Sequence, residues 1–170
     1  MINLQAYVIK DVKNFMNQML RTEAFDFFLL SEITIQAKGS YVLDGHLEEG
    51  YYSREELDAS GQKVGDLLPY KEFRTMAFDL IKGQRTPTYF KFIFMAPEVL
   101  IEKLLEKTDN SIQQQDVLGL VCNVRFQNGE LQLITGSSYR IFTTDKSLDQ
   151  MWDSYIQSYL TKLDIQWDNI

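Results

Sequence analysis

The chain has 170 residues, 17 Lys and Arg against 24 Asp and Glu, a formal charge of −7, and a single His and a single Cys. One Cys and one His cannot build a Cys/His zinc site, and one Cys forms no intramolecular disulfide, so nothing calls for an oxidising compartment. The acidic balance argues against a basic nucleic-acid coat but leaves room for a local basic patch.

This length predicts one domain over 1–170, with a hydrophobic share of 45% sufficient for a core without covalent staples. Met1–Tyr7 lacks the basic region and apolar run of a signal peptide, and no stretch approaches the roughly 18 apolar residues of a membrane helix. The expectation is a soluble, cytoplasmic chain without a membrane partner.

In chain order, residues 2–9 read as a strand. Residues 11–21 read as a helix with Asp11 as N-cap and Val12, Phe15, Met16, Met19 and Leu20 on one face. Phe27–Gln36 and Tyr41–Leu47 form a hairpin about Lys38-Gly39-Ser40. Glu48–Asp66, weakly apolar and holding Gly50, Gly61 and Gly65, reads as an exposed loop or short extra hairpin. A helix over 69–82 starts at Pro69, buries Phe73, Ala77 and Leu80, and stops at Gly83. Residues 88–95 form an aromatic-rich strand. A helix over 97–107 opens at Pro97 and turns Leu100, Ile101, Leu104 and Leu105 inward. Leu118, Leu120, Cys122, Val124 and Phe126 alternate on a strand, and Asn128-Gly129 signals a type I′ turn. Leu131, Leu133 and Tyr139–Phe142 continue beyond it, with Thr135-Gly136-Ser137-Ser138 read as a bulge or tight corner. The last helix opens with Ser147 and Gln150 in capping-box spacing and carries Leu148, Met151, Trp152, Tyr155, Ile156, Tyr159, Leu160 and Leu163 as its stripe.

The two halves share an order of elements. At a constant offset Val12, Phe15 and Met16 fall on Ile101, Leu104 and Leu105, and Ile33 and Ile35 fall on Cys122 and Val124. The hypothesis is a duplicated β-α-β-β unit, with pseudo-repeats 2–47 and 88–135, against the alternative that amphipathic helices and hairpins always match somewhere.

Three constellations bear on chemistry. Asp44, His46 and Glu48 alternate along a predicted strand, so two carboxylates and the lone imidazole share a face as an acid/base or metal-binding set. The same spacing describes the solvent face of a hairpin. Lys10, Lys13 and Arg21 on the first helix, with Lys82 and Arg85 at the end of the helix over 69–82, are candidates for anion or nucleic-acid binding; a basic turn also complements a helix C-terminus without any ligand. Tyr51, Tyr52, Tyr70 and Trp167 look exposed and lean toward a protein-binding surface. Cys122 reads as a buried, inert thiol and Trp152 as a packing anchor. There is no phosphate-cradling glycine loop and no Gly-x-Ser-x-Gly elbow, so no cofactor is implied. Acidity concentrates at Glu48, Glu49, Glu55, Glu56 and Asp58.

Phe73-Arg74, the run Phe78–Pro87, Gly129-Glu130-Leu131 and the run Ile141–Leu148 before Trp152 resemble an uncharacterised family of short bacterial proteins, a domain of unknown function. That resemblance implies relatives and no activity. The duplicated strand–helix–hairpin order is similar in architecture to DNA sliding-clamp domains. However, Glu98, Glu102 and Glu106 on the helix over 97–107 would repel phosphate, and fold likeness confers no function.

The combined reading is an α+β fold, a mostly antiparallel sheet with about four helices and a clamp-like topology. The leading function is a non-enzymatic binding or protein-interaction domain with a homodimer or protein partner. Its alternatives are a nucleic-acid-associated clamp-like module and an acid/base or metal-dependent enzyme centred on Asp44, His46 and Glu48.

Overall fold

The structure is a computed structural model that describes residues 2–109 and 111–170. Its centre is an antiparallel sheet of β1 (Ile2–Ile9), β2 (Leu29–Gln36), β3 (Ser40–Asp44), β4 (Leu68–Pro69), β5 (Tyr89–Met95), β6 (Val117–Gln127), β7 (Glu130–Tyr139) and β8 (Trp167–Asn169). The strands run in the order β3-β2-β5-β6-β7-β1-β8, with β4 beside the start of β2. The helices are α1 (Val12–Arg21), α2 (Arg54–Ser60), α3 (Arg74–Ile81), α4 (Glu98–Leu105) and α5 (Ser147–Lys162). This is the expected α+β class.

Period-two alternation decides the two faces of the sheet. Ile33, Ile35, Phe90, Phe92, Phe94, Cys122, Val124, Leu131 and Leu133 are buried on one face, where registered pairs such as Ile33↔Phe92, Phe92↔Val124 and Val124↔Leu133 stack side by side. Phe15 and Met19 of α1, Ala77 of α3, Leu104 of α4, and Trp152 and Ile156 of α5 join the same core. Trp152 is an anchor as expected, and its Nε1 donates to the Val121 carbonyl at 2.9 Å. Cys122 is buried, which pushes its thiol up to about 12 and leaves it unreactive at neutral pH. The other face, with Lys91, Ile93, Asn123, Arg125 and Ile134 at successive registered positions, stays half-exposed. No helix among the described residues is long and apolar enough to cross a membrane.

Several local expectations are corrected. The 48–66 stretch holds α2, where Ser53 and Glu56 form a full capping box and Gly61 closes the helix in the left-handed region. The first turn of α5 is capped by Asp145, which accepts from the Ser147 amide at 2.8 Å, so Ser147 and Gln150 form no capping box. Thr135–Ser138 is regular strand inside β7; the bulge lies across the hairpin in β6, between Val117 and Gly119. That bulge turns Val117 inward and leaves Leu118 55% exposed. β7 ends at Tyr139, short of Phe142, and Pro69 belongs to β4 rather than to the third helix. The Asn128-Gly129 turn is type I′, with φ of 54° and 77°.

The β-α-β-β order recurs in 2–44 and 89–139, but the strand neighbours differ. β5 pairs with its own unit's β6, whereas β1 pairs with β7 and β8 and never meets β2.

Candidate functional site

Helix α1 begins where Asp11 accepts from the Asn14 amide at 3.0 Å, and Arg21 in its last turn complements the negative helix end. Phe15, Met19 and Leu20 go to the core. Lys13, Asn17 and Arg21, each four residues apart, form a separate polar stripe. Helix α3 packs beside α1 and turns Phe78 and Ile81 toward it.

Two contacts hold these helices in place. The Arg74 guanidinium forks onto Asp26, Nε to Oδ1 at 2.8 Å and Nη2 to Oδ2 at 3.3 Å, and this bond holds the guanidinium firmly protonated. The Tyr70 hydroxyl donates to the Met19 carbonyl at 3.1 Å. Tyr70, expected to be exposed, is fully buried because its ring sits edge-on to Phe92 and Phe94; burial pushes its phenol well above the ordinary value.

Between α1 and α3 lies a groove of about 460 Å³ with an apolar floor of Met16, Leu20, Phe78 and Ile81 and a polar rim that includes Lys13, Asn17 and Arg21. Arg21 Cζ stands 5.9 Å and Lys82 Nζ 5.8 Å from the Phe78 ring centroid, so two cations share one aromatic ring. Lys82 also pairs with Asp79 at 3.1 Å, an exposed contact, whereas among the described residues Lys13 and Arg21 have no carboxylate within 4.0 Å.

Of the sequence-predicted basic set, Lys13 and Arg21 line the groove, and Lys82 stands outside the lining but near its Phe78 ring. Lys10 stands apart, paired with Asp168 of β8 at 3.3 Å, and Arg85 is exposed on the α3–β5 connection, outside the groove lining. Of the acid/base set, Asp44 and His46 are brought together. β3 ends at Asp44, His46 makes only an isolated bridge to Leu67, and Glu48 lies beyond it. Asp44 Oδ1 accepts from the His46 amide at 2.9 Å and meets Nδ1 at 2.5 Å, contacts that hold its carboxyl below the usual range. All three residues are exposed, and among the described residues no group of three His, Cys, Asp or Glu side chains is placed to hold a metal. Of the four aromatics, Tyr51 is 75% exposed and Tyr52 and Trp167 are half-buried.

A polar cluster that sequence reasoning missed lies under α5. Asp149 accepts from Ser137 and, at 2.6 Å, from the Tyr139 hydroxyl; Asp153 accepts from Tyr7 and, at 3.2 Å, from Thr135. Gln157 Nε2 donates to the Tyr7 hydroxyl at 3.0 Å. Burial raises the Asp153 carboxyl, and burial followed by the Asp149 bond raises the Tyr139 phenol. The adjoining cleft is about 300 Å³. Each of these hydroxyls is engaged with a carboxylate, so the cluster is a seam fastening α5 to β1 and β7. The signal for it was present: hydroxyls at Thr135, Ser137 and Tyr139 in strand period, facing carboxylates one helical turn apart.

The model of the family described as "Family of unknown function (DUF5721)" matches residues 18–168, from the last turns of α1 into β8. No curated protein and no solved structure matches the chain.

Proposed function

We propose that this chain, which belongs to the family of unknown function DUF5721, is a non-enzymatic protein-interaction module whose α1–α3 groove receives an acidic amphipathic segment of a partner. The observation that carries this reading is that Arg21 and Lys82 share the Phe78 ring of a groove whose floor is otherwise apolar. An amphipathic helix laid in such a groove buries apolar side chains on Met16, Leu20, Phe78 and Ile81 and meets the rim cations with its acids. An apolar floor suits a protein segment better than a phosphate backbone, which would also meet Asp11 at the groove. Lys10 and Arg85 do not line the groove, which supports the same preference because the remaining basic patch is short.

Fluorescence anisotropy with a labelled peptide of Leu and Glu at helical spacing tests this. Saturable binding is expected, weakened about tenfold or more by Phe78→Ala or Arg21→Glu and absent for the same peptide with Lys in place of Glu. Failure to bind, or binding indifferent to both variants, would refute it. Tighter, steeply salt-dependent binding of single-stranded DNA at the same residues would replace it with the nucleic-acid reading.

A further inference from the structure

The groove's charge has a counterpart elsewhere on the same chain. Glu48, Glu49, Glu55, Glu56 and Asp58 are all exposed, and among the described residues none has a Lys or Arg partner within 4.0 Å. Glu55, Glu56 and Asp58 lie on α2, which buries no residue of its own, and Tyr51 before it is the most exposed aromatic of this segment. Glu55 and Asp58, three residues apart, share a helical face. The groove calls for acids beside an exposed apolar side chain, and this chain displays both in one segment, Glu55 and Asp58 with Tyr51.

No residue of 47–66 lines the groove of its own chain, and a hydrogen-bonded neck fixes the segment's base. The Gly45 amide donates to the Ser31 carbonyl at 2.9 Å, the Leu68 amide to the Gly45 carbonyl at 2.8 Å, the Leu47 amide to the Asp66 carbonyl at 2.7 Å and the Gly65 amide to the Leu47 carbonyl at 3.0 Å. Gly45 lies so close to β2 that a Cβ there would stand 1.8 Å from the Leu30 carbonyl oxygen. The neck therefore anchors residues 47–66 at the β2–β3 side of the sheet, while the groove lies between α1 and α3 over the buried face. The segment can enter the groove of another molecule with these bonds intact.

We propose that the occupant of the α1–α3 groove is the 47–66 segment of a second copy of this chain, with Tyr51 over the apolar floor and Glu55 and Asp58 against Lys13 and Arg21. The proposal rests on the groove reading above and names its partner. Reciprocal exchange of the segment fills both grooves and closes a dimer.

Sedimentation velocity on the full chain over a range of concentration and salt tests it. The expected result is a dimer at low salt that dissociates as salt rises. Lys13→Glu with Arg21→Glu weakens self-association about tenfold or more, and so does Glu55→Lys with Asp58→Lys, while a mixture of the two variants regains a heterodimer. Glu56 is left intact because it caps α2, and circular dichroism checks that each variant keeps its fold. A chain that stays monomeric throughout, or one whose association neither variant weakens and mixing does not restore, overturns the proposal. If the monomeric chain still binds the Leu/Glu peptide in the groove, only the identity of the partner fails; if the peptide does not bind either, the groove reading fails with it.

Discussion

Replacing Asp149 with Ala isolates the polar seam beneath α5. The carboxylate accepts from Ser137 and Tyr139, side chains that are 2% and 5% exposed, so its loss leaves two hydroxyls with no acceptor from α5. A buried donor without a partner costs about 1–3 kcal/mol, and water entering the neighbouring cleft relieves part of that, giving about 2–4 kcal/mol for the pair. For a chain of this size that is a fall in Tm of about 5–15 °C. Tyr139→Phe alone removes one hydrogen bond and costs about 1 kcal/mol. The diagnostic term is the coupling between the two changes. In the Asp149→Ala background the Tyr139 hydroxyl has lost its carboxylate acceptor and keeps only Ser137 beside it, so the cost of Tyr139→Phe falls. Urea unfolding followed by far-ultraviolet circular dichroism on the four members of the cycle reads this directly. A Tyr139→Phe cost that is equal in both backgrounds would refute the seam as an interacting unit.

Other expectations follow from the same structure. Trp152→Ala removes the largest fully buried side chain and its bond to the Val121 carbonyl, and costs about 3–5 kcal/mol in the same assay. Gly45→Ala forces a methyl onto the Leu30 carbonyl and costs about 1–3 kcal/mol, with hydrogen exchange rising first at the amides of Leu47 and Leu68. Burial raises the Asp153 carboxyl above its ordinary 3.8, so its protonated form is the one the fold favours. Its contribution is therefore greatest below that ordinary value and is lost as pH rises through the raised one. The stability of the wild type relative to Asp153→Asn should then grow as pH falls through this window, and a flat difference would contradict the cause assigned to the shift.

Much of the fold was legible because its strands alternate strictly. The buried set Phe90, Phe92, Phe94, Cys122, Val124, Leu131 and Leu133 follows from period two alone, and Asn128-Gly129 set the hairpin register. The failures have physical causes. One bulge residue in β6 reverses Leu118, which periodicity cannot foresee. α2 carries no apolar stripe, so only the Ser53–Glu56 cap and Gly61 betray it. Tyr70 looked like a surface aromatic because its burial depends on Phe92 and Phe94, distant in sequence. The stripe of Lys13, Asn17 and Arg21 was readable from helical spacing, but the groove exists only because α3 brings Phe78 alongside. Asp44, His46 and Glu48 keep their alternation with buried Gly45 and Leu47 beyond the end of β3, and all three face solvent. The aspartates under α5 escaped notice because carboxylates beside an apolar stripe normally face water.

The central claim is that the α1–α3 groove is the binding face. Amide chemical-shift mapping on the isotope-labelled chain, titrated with the Leu/Glu peptide, tests it most directly. The account predicts saturable shifts concentrated at Lys13, Met16, Asn17, Arg21, Phe78 and Ile81; shifts centred instead on the α5 cleft or on the half-exposed face around Ile93 and Ile134, or no shifts at all, would contradict it.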